Sequence, residues 1–155
     1  MRVLNSSLIT ETVKRLCVEA NCYLPGDMKS CIEQAYAQED WPQAREILDR
    51  IMENYHIADE KHQPICQDTG VACVFLKIGQ QLHIEGDIAQ AVNEGVRQGY
   101  TEGYLRKSVV RDPLDRVNTG DNTPAMLYYE IVPGDQLEIT VAPKGFGSEN
   151  MSQIK

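Results

Sequence analysis

The sequence predicts an α+β protein, with N-terminal helices followed by a mixed β-sheet and at least one further helix. Three observations predict it. Apolar residues recur at helical spacing through the first third of the chain. At Val71 the pattern switches to an unbroken apolar run of strand length. Two more strand-like runs then follow a second stretch of helical spacing.

Leu8, Ile9, Val13, Leu16, Cys17 and Ala20 share one helical face, which predicts a helix over about residues 7–21. Pro25-Gly26 breaks it. Asp27 is placed to cap a second helix running through Gln38, and Asp40 a third, with Pro42 in its first turn. The third helix turns Ile47, Leu48, Ile51 and Tyr55 inward, and a polar segment, His56–Gln63, follows. Val71–Ile78 reads as a buried strand, Gly79-Gln80-Gln81 as a turn and Leu82–Glu85 as a short strand. Gly86-Asp87 opens a helix with Ile88, Val92 and Val96 on one face. Gly95 and Gly99 in that helix mean close packing or a close ligand, or else a loosely held surface helix. Met126–Val132 and Leu137–Val141, joined by Pro133-Gly134-Asp135, carry a hairpin signal.

The 155 residues suffice for a single domain with a proper core, at 42% hydrophobic and 25% charged composition. A net charge of -8 argues against a broad nucleic-acid surface but leaves room for a local cationic pocket. No apolar run approaches the ~18 residues needed to span a bilayer, and the first residues hold no secretory h-region. Five cysteines cannot all pair internally, so free thiols or metal or cluster ligation in the reducing cytoplasm is expected. The glycine-rich loop Lys144–Asn150 and a helical start at Met151–Lys155 suggest one incomplete half of a larger domain.

Three stretches carry candidate chemistry. Pro64-Ile65-Cys66-Gln67-Asp68-Thr69-Gly70 sets a thiol, an amide, a carboxylate and a hydroxyl at the mouth of a strand. A thiolate can ligate iron or attack a carbonyl, and a carboxylate can move protons; an ordinary turn is the plain alternative. Tyr104–Arg116 gathers Arg106, Lys107, Arg111 and Arg116, which suit carboxylates, although taken alone the stretch reads more readily as a solvated surface with local Arg–Asp pairs. Asn118–Pro124 follows as a dense set of turn formers. In Lys144–Asn150, successive N–H groups around Gly145 and Gly147 can form an anion nest, or the glycines can simply permit positive φ. Cys66 as a nucleophile would need His62 as its base. Cys17, Cys22 and Cys31 lack the tight spacing of a zinc site, and His83-Ile84-Glu85 lacks the Pro-Cys-x-x-Cys half of a deaminase signature.

Taken in order, Pro64–Gly70, Leu105–Val110, Asp112-Pro113-Leu114 with Arg116 and Asn118-Thr119, and Pro143–Ser152 resemble the N-terminal half of the α subunit, or α region, of the class I iron–sulfur fumarases. The resemblance implies reversible hydration of fumarate to L-malate, a tricarboxylic acid cycle step, at a four-iron four-sulfur cluster. It implies Cys66 as one of three cluster cysteines, Gln67, Asp68, Arg106, Gly145 and Gly147 as substrate-binding, and Asp68 as a catalytic acid/base. It also implies a small dicarboxylate substrate, a β subunit and homo-oligomerisation. The other two cysteines are expected beyond this chain, so the 155 residues alone are expected neither to hold a stable cluster nor to turn over. L-tartrate dehydratase is the rival within the family, and the Lys144–Asn150 loop favours fumarase. A non-catalytic anion-binding module is the alternative outside it.

Overall fold

The computed structural model describes residues 1–147 and Gln153. The helical start read at Met151–Lys155 and the end of the glycine loop, 148–150, lie outside the described residues. The chain divides into two compact units, Met1–Glu19 with Gln67–Lys155, and Ala20–Cys66. Among the described residues no helix is long and apolar enough to cross a membrane.

The first unit is α+β. Strand β1 (Arg2–Asn5) leads into helix α1 (Ser6–Cys22), which begins in this unit. Strand β2 (Val71–Gly79), strand β3 (Leu82–Glu85), helix α4 (Ile88–Glu102), strand β4 (Met126–Val132) and strand β5 (Leu137–Lys144) follow. β1 pairs in parallel with β3, Arg2 opposite Leu82. β1 has no sequence signal of its own: four residues are too few for a period, and only Leu4 is buried.

The main sheet has the order β4-β2-β5, with β2 parallel to β4 and antiparallel to β5. This corrects the expected hairpin: β4 and β5 do not pair but flank β2. The reason lies in β2. Val71, Ala72, Cys73, Val74 and Leu76 are all buried, and a strand this enclosed needs partners on both edges to satisfy its backbone. The Pro133-Gly134-Asp135 loop therefore spans the end of β2 instead of closing a tight turn. Gly79 donates to the Gln136 carbonyl, Gln80 to Val132 and Gln81 to Gly134, at 2.8–2.9 Å. A Cβ at Gly79 would sit 2.5 Å from the Gly134 oxygen, so the crossing requires glycine there.

Ala72, Val74 and Leu76 from β2 form one core with Ile9, Val13 and Cys17 from α1 and Val92, Val96 and Tyr100 from α4. α4 begins where the sequence places it, just after Gly86-Asp87, and Asp87 caps it, its carboxylate accepting from the Gln90 N–H at 2.9 Å. The two α4 glycines mark close packing. A Cβ at Gly95 would lie 2.6 Å from the Thr10 carbonyl, and one at Gly99 2.9 Å from the Cys17 Cβ. The helix cost of about 1 kcal/mol per glycine is offset by bringing α1 and α4 backbones together.

The second unit holds the end of α1 with helix α2 (Gly26–Gln38) and helix α3 (Pro42–Lys61). Pro25 and Trp41, rather than Asp27 and Asp40, occupy the N-cap positions, and neither makes a side-chain cap. α3 runs through the polar segment that the sequence leaves without a helix, and ends at His62 in the left-handed region, φ 51°. The inward face read for α3 is only partly inward. Tyr55 is buried, Leu48 is half-buried, and Ile47 and Ile51 are exposed. Lys29 pairs with Asp59 across α2 and α3, and the Arg45 guanidinium lies 4.5 Å from the Tyr36 ring centroid.

Candidate functional site

Three loops of the first unit meet at the start of β2. Asn122 joins two of them. It has no exposed surface. Its Oδ1 accepts the N–H groups of Ser108 at 2.7 Å and Val109 at 3.2 Å, and its Nδ2 donates to the Gly70 carbonyl at 2.9 Å. Thr69, also buried, donates through its hydroxyl to the Arg106 carbonyl at 2.9 Å, and its own carbonyl accepts the Tyr100 hydroxyl at 2.7 Å. The motif loop is thereby tied to the basic segment and to α4.

The glycine loop closes from the other side. Gly70 has φ 58°, and a Cβ there would lie 2.1 Å from the Lys144 carbonyl oxygen, so the backbones touch only because no side chain intervenes. The half-buried Asp68 carboxylate reaches across. Its Oδ2 accepts the Phe146 N–H at 3.1 Å, and its Oδ1 accepts the Gly70 N–H at 3.2 Å. A Cβ on Gly145 would sit 2.9 Å from Oδ2, and one on Gly147 3.9 Å away. The expected anion nest does hold an anion, and that anion is Asp68.

This sets the protonation of Asp68. The Phe146 N–H chiefly, then the N–H groups of Gly147 and Gly70 and the positive charge of Arg106, hold its carboxyl below the usual carboxylate range, while partial loss of water opposes them. At neutral pH it is a carboxylate, able to accept a proton and not to donate one. Arg106 is exposed, its charge is felt by Asp68, and its backbone carbonyl is held by Thr69. Lys107, Arg111 and Arg116 make no ion pair with another described residue, so local Arg–Asp pairing does not account for the basic segment. Asp112 instead accepts the N–H groups of Leu114 and Asp115 in a turn.

Asp68, Arg106 and the Gly145–Gly147 backbone are thus brought together, and Gln67 is exposed beside them in sequence. Cys66 belongs to the second unit, where it is exposed. It borders a largely apolar groove of about 750 Å³ lined by Leu24, Ile47, Ile51, Tyr55 and Ile65. His62 does not stand ready as its base: the His62 Nδ1 is 2.6 Å from the Tyr23 hydroxyl.

The thiols also bear on the expected cluster. Among the described residues no three His, Cys, Asp or Glu side chains are grouped to hold a metal. Cys17, Cys22 and Cys73 are buried, and burial pushes the Cys17 thiol up to about 12. The Cys73 sulfur is 3.8 Å from that of Met126. Asn122 and Tyr100 are the site residues that sequence reading passes over. Asn122 is one turn former among several, and nothing in the pattern ranks it above Asn118; only its burial does.

An α+β frame thus brings a strapped carboxylate, an arginine and a glycine loop to one strand mouth. The chain belongs to the fumarate hydratase (Fumerase) family, whose sequence profile matches residues 10–155. It is 40% identical over 154 residues to the putative L(+)-tartrate dehydratase subunit alpha of Methanocaldococcus jannaschii, a match covering 95% of this chain and 54% of that protein. It is 31% identical over 144 residues to the putative class I fumarate hydratase of Geobacillus stearothermophilus, covering 90% and 28%. To the anaerobic class I fumarate hydratase of Escherichia coli it is 35% identical over 107 residues, covering 68% and 20%. The chain thus spans about half the length of the tartrate dehydratase subunit and less of the fumarases.

Proposed function

We propose that this chain is the N-terminal part of the α region of a hydro-lyase that interconverts fumarate and L-malate. The observation that carries this reading is the Asp68 carboxylate held ionised by the 145–147 backbone within the field of Arg106. Arg106 would grip one carboxylate of the dianion, and Gln67 would orient the other end or the water. Asp68 would take a proton from the attacking water during hydration, a role that its lowered pKa favours over proton donation. Gly145 and Gly147 keep the loop bare enough for a substrate to approach its backbone. A four-iron four-sulfur cluster, with Cys66 as its one ligand from these residues, would supply Lewis acidity. The remaining ligands are not among the described residues. A β subunit and self-association complete the proposal.

L(+)-tartrate dehydration is the second reading. The 40% identity to a putative tartrate dehydratase subunit supports it. Titrating the chain with fumarate, L-malate and L-tartrate while following the Phe146 and Gly147 amide resonances separates the two. Fumarate or malate should shift both signals in the wild type and not in Arg106→Ala. A response to tartrate alone selects the second reading, and no response to any of the three removes the dicarboxylate site. Anaerobic reconstitution with iron and sulfide tests the ligand: Cys66→Ser should lower bound iron.

A further inference from the structure

Thr69 stands between the carboxylate and the arginine of the candidate site. It follows Asp68 in the chain, and its hydroxyl donates to the Arg106 carbonyl at 2.9 Å. Tyr100 closes this link into a ring. The Tyr100 hydroxyl donates to the Thr69 carbonyl at 2.7 Å, and the Tyr100 carbonyl accepts the Leu105 N–H at 3.1 Å. The ring runs from Thr69 to Arg106, Leu105, Tyr100 and back to Thr69. Thr69, Leu105 and Tyr100 are buried, so water does not compete for these bonds. Arg106 is the exposed member.

The neighbours of Arg106 have anchors of their own. The Lys107 carbonyl accepts the Asn118 Nδ2 at 3.0 Å, and the Ser108 N–H is held by Asn122 at 2.7 Å. Arg106 itself makes one backbone hydrogen bond among the described residues, the one from Thr69. Tyr104 leads into this stretch at φ 54°, a conformation uncommon for a residue with a side chain. Local preference therefore does not set the path of the chain here, and the tertiary hydrogen bonds do. A buried threonine hydroxyl is satisfied by any nearby carbonyl. Thr10 shows this between α1 and α4, donating to the Ala91 carbonyl at 2.9 Å. Thr69 differs in the carbonyl it holds, which belongs to the residue whose charge acts on Asp68.

We infer that Thr69 is a positioning residue of the proposed dicarboxylate site: its hydroxyl fixes where Arg106 leaves the backbone relative to Asp68, and so sets the shape of diacid that the pair accepts. The inference rests on the dicarboxylate reading above. An arginine that grips one carboxylate fixes the line along which the rest of the diacid lies, and the proton acceptor must stand beside the reacting carbons on that line. A shift at the base of Arg106 loosens the grip and the alignment together. Fumarate and maleate carry the same two charges, but the trans isomer holds its carboxylates far apart and the cis isomer holds them close. A fixed arginine and carboxylate therefore tell the two apart by geometry, and a loosened pair does so less.

Titrating the whole chain with fumarate and with maleate, read at the Phe146 and Gly147 amide resonances, tests this. The wild type should favour fumarate. Thr69→Val keeps the side-chain shape and removes the donor. It should weaken fumarate by about tenfold and maleate by less, so that the preference shrinks. Thr69→Ser returns the hydroxyl and should return the preference. Thr10→Val deletes an equivalent bond away from the site and should leave both affinities unchanged. Where Thr69→Val does not fold, as judged by far-UV circular dichroism, Thr69→Ala removes the same donor and carries the same expectation. Unchanged binding, an equal loss for both diacids, or no recovery in Thr69→Ser overturns the inference and leaves the dicarboxylate reading standing. A wild type that binds fumarate no better than maleate overturns it as well. A wild type that binds neither removes the dicarboxylate reading and this inference with it.

Discussion

The unit built on β2 and the unit built on α2 and α3 start from similar amphipathic patterns and end differently. In the first, Val13, Val74, Val92, Val96 and Leu76 are essentially without exposed surface, and buried Asn122 and Thr69 have their hydrogen bonds satisfied. In the second, α2 has no buried residue, α3 buries only Tyr55 and Ala58, and Trp41, Ile47, Ile51 and Ile57 stand exposed. The difference lies in layers. A sheet with helices on it encloses apolar side chains on a common core, whereas a helix pair leaves each apolar stripe half covered. The candidate acid/base therefore sits on a rigid frame, and Cys66 borders an open apolar groove.

The largest expected break in this contrast is Gly70→Ala. It forces φ 58° on a side-chain-bearing residue and drives its Cβ into the Lys144 carbonyl. We expect a loss of about 3 kcal/mol or more, read as lost amide-exchange protection in β2. Asn122→Ala comes next. It strands the Ser108 and Val109 N–H groups and the Gly70 carbonyl, and should cost about 2–4 kcal/mol in urea unfolding. Tyr100→Phe removes one buried hydrogen bond, to the Thr69 carbonyl, and should cost about 1–2 kcal/mol.

Acid titration acts more weakly. The folded pKa of Asp68 is lowered, so its stabilising contribution is present at neutral pH, above its unfolded pKa, and is lost as pH falls through the folded value. Asp68→Asn should therefore flatten the acid limb of the stability profile below the ordinary carboxylate range. An unchanged limb would show that the Phe146 and Gly147 N–H groups do not grip the carboxylate in solution. The smallest effect is expected at Ile51→Ala in the groove, within about 0.5 kcal/mol. A cost there matching that of Asn122→Ala would mean that the groove is closed in solution, and the contrast would fail.

Much of this was legible from residue order. The helix and strand periods placed α1, β2, β4 and β5 within a residue or two at most ends, and Gly86-Asp87 marked the start of α4. The Cys66–Gly70, Arg106 and Gly145–Gly147 stretches stood out as polar groups flanking apolar runs. β1 was not legible, because its four residues acquire a period only beside β3. The hairpin reading failed because turn chemistry at Pro133-Gly134-Asp135 is local, while the demand of β2 for two partners is not.

By itself the sequence determined which segments are helix or strand and which polar residues cluster along the chain, since both follow from side-chain period and local backbone preference. The tertiary structure alone decided that β2 separates β4 from β5, that Asn122 rather than Asn118 holds the loops, and that Asp68 fills the glycine-loop nest. Those outcomes depend on which backbone groups, far apart in the chain, must find partners once water is excluded.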